Sequence, residues 1–191
     1  TTLSAITFNF LMSLSGGLMV AYLVSDGDAF WTYSGGLAGV IGASSGNDLY
    51  HPIQAMIIGG GGAYLAYKMH FWVENKFKID DAVGAVAVHG YAGFYGVVVA
   101  GFMLWGYPSS PFEGYATISP WGNFIGALIM FFVLGFFPAL IVSKILNSMG
   151  MLRIPREVEM VGLDFNHESL RAMEAEDVAQ AIRDEAAASS N

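Results

Sequence analysis

Uncharged, largely apolar runs alternate with short polar breaks along most of this chain: residues 1–25, 29–47, 49–67, 82–112 and 114–143 contain no Asp, Glu, Lys or Arg. At about 1.5 Å of rise per residue, roughly 20 apolar residues in a helix cross a hydrocarbon core of about 30 Å. The pattern therefore predicts five membrane-spanning helices over about 3–24, 30–45, 52–73, 82–105 and 121–149, and a transmembrane region 1–152 followed by a charged tail 153–191.

The polar and small residues within the runs sharpen this reading. In the first run, Ser4, Thr7, Asn9, Ser13 and Ser15 must face protein or bond their own backbone. The second run is short and rich in Gly, Ala and Ser, as expected of a helix packed inside a bundle. The third carries four consecutive glycines, Gly59 to Gly62. Each costs about 1 kcal/mol of helix propensity, so the quartet requires either a compensating close helix contact or local unwinding. His51, before Pro52 in a polar break, reads as an interfacial residue rather than a metal ligand. The Pro/Gly-rich loop 106–120 is flanked by aromatic residues suited to a membrane interface, Trp105, Tyr107, Tyr115 and Trp121. In the fifth run, Pro138 predicts a kink and Lys144 is placed to snorkel toward headgroups.

The fourth run holds the candidate chemistry. Read as one α-helix, it aligns Ala82, Ala85, His89, Gly93, Gly96 and Ala100 on a face of small residues interrupted by a single imidazole. A polar group in lipid costs several kcal/mol unless it is paired or faces a cavity, which makes an intramembrane histidine a candidate functional group. The other reading is that His89 bonds a carbonyl of a neighbouring helix and serves as packing glue.

Composition agrees with the membrane assignment: 54% of the 191 residues are hydrophobic, 24 are glycine, and mean hydropathy is +0.51. The net charge of −8 is concentrated in the tail, where residues 153–191 hold four Lys/Arg and nine Asp/Glu, so it argues against a nucleic-acid partner. Neither a nucleophile constellation nor a phosphate-cradling loop is present, and the glycine quartet lies in a span, so an enzyme is not expected. The chain has no cysteine, which excludes disulfides and thiolate metal sites, and no cofactor or metal is expected. Lys68, Lys76 and Lys78 on one side, and Lys144, Arg153 and Arg156 on the other, are separated by an even number of crossings. The positive-inside rule then places both groups in the cytoplasm and gives an N-out, C-in arrangement. The chain starts at Thr1 within an apolar run without a basic n-region, so that start reads as a fragment, a processed chain or one half of a split protein rather than a signal peptide.

Four motifs in order carry a family resemblance. They are Ser34-Gly35-Gly36-Leu37-Ala38-Gly39; the pair Asp80-Asp81; Val88-His89-Gly90 continuing through Gly93 and Gly96; and, after the last span, Leu152-Arg153-Ile154-Pro155 with Glu157, Glu159 and Gly162-Leu163-Asp164. This series resembles the ammonium transporter family (Amt, Mep and Rhesus proteins), in which a DD loop precedes a helix with HG-x-x-G-x-x-G and an LRV-x-x-E-x-E-x-x-GLD tail follows the last helix. The resemblance places the chain at the last five of eleven family helices, in an all-α integral membrane fold built as an inverted repeat and assembled as a trimer. It implies transport of ammonium/ammonia, or of methylammonium, through an apolar pore in a plasma (inner) membrane. His89 and Ala85 would line that pore, Asp80 and Asp81 would be structural near the inner mouth, and Gly90, Gly93 and Gly96 would serve helix packing. Arg153, Glu157, Glu159, Gly162, Leu163 and Asp164 would form a regulatory cytoplasmic segment and a contact for PII-type signalling proteins. A companion N-terminal half or chain is implied, because five helices do not enclose a pore. The competing reading is a non-conducting family member, a sensor or a structural subunit of a larger membrane complex.

Overall fold

The structure, a computed structural model, describes residues 2–79 and 81–156. Six α-helices are described in chain order: α1 Leu3–Val24, α2 Ala29–Ser44, α3 Pro52–Phe77, α4 Ala92–Met103, α5 Pro120–Leu128 and α6 Phe137–Ser148. A π-helical turn, Val86–Tyr91, runs directly into α4, and a second π-helical stretch, Ile129–Phe136, joins α5 to α6. No strand occurs among the described residues.

Local chemistry accounts for the helix boundaries. Side chains cap the N-termini of α1, α2 and α5: Thr2 accepts from the Ala5 N–H, Asp28 from Trp31 and Ser119 from Gly122. His51 caps α3, its Nδ1 accepting from the Ile53 N–H at 3.3 Å while Gln54 Oε1 receives the His51 N–H at 2.9 Å. The residue read as merely interfacial thus sets the start of the third helix. At the far end of α3, Lys78 takes a left-handed conformation, φ 55°, and ends the helix four residues beyond the expected limit.

The chain divides into two compact units, one ending at Phe137 and the other beginning at Pro138. In the first, α1, α2 and α3 pack backbone to backbone. A Cβ built at Gly17 would overlap the Gly35 carbonyl, one at Gly59 would overlap the Ser13 carbonyl, and one at Gly39 would lie 2.6 Å from Ser13 O. The glycine quartet is therefore explained by close contact and not by unwinding, since α3 remains α-helical through Gly59 to Gly62. Two apolar clusters fill what remains. One contains Trp31, Ala38, Ala63, Ala66, Ala87 and Val88; the other contains Tyr50, Ile58, Ala100 and Leu104.

A polar clamp closes the α2–α3 connection. Asn9, 2% exposed, donates to the carbonyls of Asn47 and Tyr50 at 2.8 and 2.7 Å, and Asn47 Nδ2 donates back to Ile6 O. The first-span polar residue that had to find protein does so here. The neighbouring Tyr50 hydroxyl is buried without a hydrogen-bond partner, and burial pushes its pKa up to about 12, with nearby Ser45 opposing the effect in part. Ser45 gives its own proton to the Gly96 carbonyl at 2.8 Å.

Among the described residues, three helices are long and apolar enough to cross a membrane: Leu3–Val24, Val86–Met103 and the continuous Pro120–Ser148. α2, at 16 residues, is too short by that measure, and α3 is diluted by its glycines and Lys68. Both are the small-residue helices whose faces meet other backbones. In the second unit, most of α6 is exposed, Lys144 included, with Ser143 and Leu146 half-buried. Pro138 stands two residues after the π-helical stretch. Its ring offers no N–H and crowds the carbonyl four residues earlier, so a widened turn at this point is the expected local response.

Candidate functional site

The approach to α4 is organised by one carboxylate. Asp81, 8% exposed, accepts the Val86 N–H on Oδ1 at 3.1 Å and the Ala87 N–H on Oδ2 at 3.0 Å. Its own carbonyl accepts the Gly84 N–H at 2.7 Å. Two otherwise unpaired amide donors at the start of a helix are thereby satisfied by an anion, where the local dipole favours negative charge. Gly84 makes the turn with φ +66° and lies beneath the Trp31 ring; a Cβ there would sit 3.4 Å from Trp31 Cη2.

This geometry alters the helical face expected from the sequence. Ala82 and Val83 lie in a turn, and Val86–Tyr91 is π-helical, so the line from Ala82 to Ala100 is not one continuous α-helical face. π-turns of this length insert an extra residue per turn and occur often at functional sites. Ala87 and Val88 point into the core against α2 and α3, whereas Ala85 and His89 are exposed. His89 makes no hydrogen bond, ion pair or ring contact among the described residues.

The three glycines differ from one another. A Cβ at Gly96 would overlap the Gly42 carbonyl of α2, one at Gly90 would meet Phe131 Cε2 at 3.3 Å, and one at Gly93 would make only an ordinary contact with Ile41 at 3.7 Å. Gly96 is the tight crossing point. Asp80 and the tail residues Glu157, Glu159, Gly162, Leu163 and Asp164 lie outside the described residues, while Arg153 is described and exposed.

Behind Asp81 stands a buried cluster that reading by spans overlooked. His70, on α3 and 7% exposed, presents Nε2 to Glu74 Oε1 at 3.3 Å and Nδ1 to Asp81 Oδ2 at 3.7 Å. Trp31 meets the His70 ring edge to face at 4.7 Å and Tyr67 at 5.3 Å. The available signal was a His and a Glu four residues apart at the end of a span, just before the acidic pair. No group of three or more His, Cys, Asp or Glu among the described residues is arranged to hold a metal ion.

Comparison with known proteins agrees with this architecture. The sequence model of the Ammonium Transporter Family matches residues 1–172. The chain is 34% identical over 167 residues to ammonium transporter Amt1 of Methanocaldococcus jannaschii, covering 85% of this chain and 40% of that protein. It is 33% identical over 171 residues to Amt2 of the same organism, covering 87% and 39%. It is 29% identical over 170 residues to the ammonium transporter of Corynebacterium glutamicum, covering 81% and 36%. The chain thus spans about two fifths of the length of these relatives. With an all-α structure, apolar helices long enough to cross a bilayer and a family match over most of its length, this chain belongs to the ammonium transporter family and is an integral membrane protein.

Proposed function

We propose that this chain forms the C-terminal part, or one subunit, of an ammonium transporter, and that His89 lines its conduction path. The observation that carries the reading is the placement of His89: an imidazole within a membrane-spanning helix, exposed and without a partner among the described residues. An intramembrane ring in that state needs a polar path or a companion segment beside it, because lipid leaves its nitrogens unsatisfied. A neutral imidazole accepts at one nitrogen and donates at the other, which suits ammonia. An alkali cation finds too few oxygen ligands there to replace its hydration. Ala85, exposed one turn earlier, forms the adjoining wall, and Asp81 holds the turn.

In this reading α2 and α3 also cross the bilayer, their small-residue faces packed against neighbouring helices. The five crossings are the last five of eleven, the N-terminus faces out and the C-terminus in, and a companion segment completes the pore within a trimer in the plasma membrane. The tail from Arg153 onward contacts the cytoplasmic face or a PII-type partner.

The test is His89→Ala in the assembled protein. The expected result is a change of about tenfold or more in methylammonium uptake or in its selectivity against potassium, about 1.4 kcal/mol on the barrier. Unchanged uptake and selectivity would remove His89 from the path. Intact mass and co-purifying bands test the companion, and a lone chain would favour the sensor or structural-subunit reading.

A further inference from the structure

We infer that His70 is a positioning residue for His89, acting through Asp81 on the π-helical turn. The consequence for conduction rests on the transport reading; the structural inference does not. The Asp81 carboxylate is held on one side by the Val86 and Ala87 amides, and on its other side it faces the His70 imidazole. His70 Nδ1 is buried and has no hydrogen-bond partner, and the group it faces is Asp81 Oδ2 at 3.7 Å. Its other nitrogen is engaged with Glu74 on the same helix, which fixes the ring about its long axis. Trp31 completes the support: it packs on His70 at 4.7 Å and also covers Gly84, so one indole backs both the imidazole and the turn leading out of Asp81.

The choice of amides matters for direction. A capping carboxylate that takes Val86 and Ala87 determines where the first turn begins. A slip of one residue would rotate every later side chain by about 100° about the helix axis. His89 would then leave the exposed face it shares with Ala85. A π-turn is an uncommon conformation and persists where its surroundings hold it. Here the surroundings are Asp81, with His70 and Trp31 behind it.

The experiment is site-resolved amide exchange on the full chain in lipid, comparing wild type with His70→Phe, His70→Gln, Asp81→Asn and the His70→Phe/Asp81→Asn pair. Phe retains the ring packing on Trp31 and removes the group facing Asp81. Exchange at Val86 and Ala87 should rise about tenfold in His70→Phe, as expected when a charge-assisted hydrogen bond loses its support. His70→Gln, which keeps a donor near Asp81, should fall between. The double variant should match Asp81→Asn alone, because both changes act through one carboxylate. Maximal uptake should fall in His70→Phe with half-saturation unchanged. Unaltered exchange at Val86 and Ala87 in a folded His70→Phe, or additive effects in the double variant, would overturn the inference. If His70→Phe does not fold, exchange in His70→Gln equal to wild type overturns it in the same way. Altered exchange together with uptake that ignores His89→Ala would leave the positioning role standing and remove only the transport reading.

Discussion

At the scale of single residues, the polar groups within the spans separate by what they meet. Asn9 was recognisable in the sequence as a group requiring protein contact, and it finds two carbonyls in the α2–α3 connection. Tyr50 was not singled out, because a tyrosine beside His51 and Pro52 reads as an interfacial aromatic, yet its hydroxyl is buried and unpaired. A phenol whose pKa rises from 10.0 to about 12 on folding is favoured in its neutral form. Its contribution to stability is complete below pH 10 and is lost as pH climbs through 12. Tyr50→Phe should therefore be neutral to stabilising by up to about 1 kcal/mol at neutral pH. It should also abolish the part of the alkaline stability loss that accompanies phenolate formation, followed by phenolate absorbance alongside thermal melts. His89 was legible because a titratable ring in an uncharged run stands out. His70 was not, because its importance comes from Asp81 and Trp31, which reach it from other segments.

At the scale of elements, the expected spans came from uncharged apolar runs, and helices occur within each of them. The ends of α1 and α2 fall within a residue of expectation, and α3 runs on to Phe77. What periodicity could not supply was pitch. The π-turn Val86–Tyr91 depends on which amides Asp81 captures and on Trp31 pressing over Gly84, neither of which leaves a local trace in the sequence. The three glycines of the HG-x-x-G-x-x-G motif likewise look equivalent when written out, and packing distinguishes them. Gly96→Ala should cost about 1–3 kcal/mol, because its methyl group would have to displace the Gly42 carbonyl of a neighbouring helix. Gly93→Ala should be tolerated, and even gain up to about 1 kcal/mol from helix propensity, since only the Ile41 methyl lies nearby. Thermal melts of the two variants in one detergent provide the comparison.

At the scale of the whole molecule, the five apolar runs correspond, among the described residues, to three helices long and apolar enough to cross and two that are richer in small residues. Hydropathy measures affinity for lipid, and the glycines that lower it here serve the close contact between helices instead. The absence of cysteine from these 191 residues allows a direct test of the proposed topology, because an introduced thiol is the only one this segment contributes. Glu113→Cys should react with an impermeant maleimide from outside the cell, and Lys76→Cys only after permeabilisation. The reverse pattern would invert the arrangement.

The seam joining α1, α2 and α3 has one more consequence. Where carbonyls rest directly against Cα atoms, no rotamer remains to adjust, so these helices can shift only as a rigid block. On the proposed reading, a solute moving past His89 would meet a wall that does not yield to it. The chain therefore sets a firmly held turn, Val86–Tyr91, upon a stiff frame.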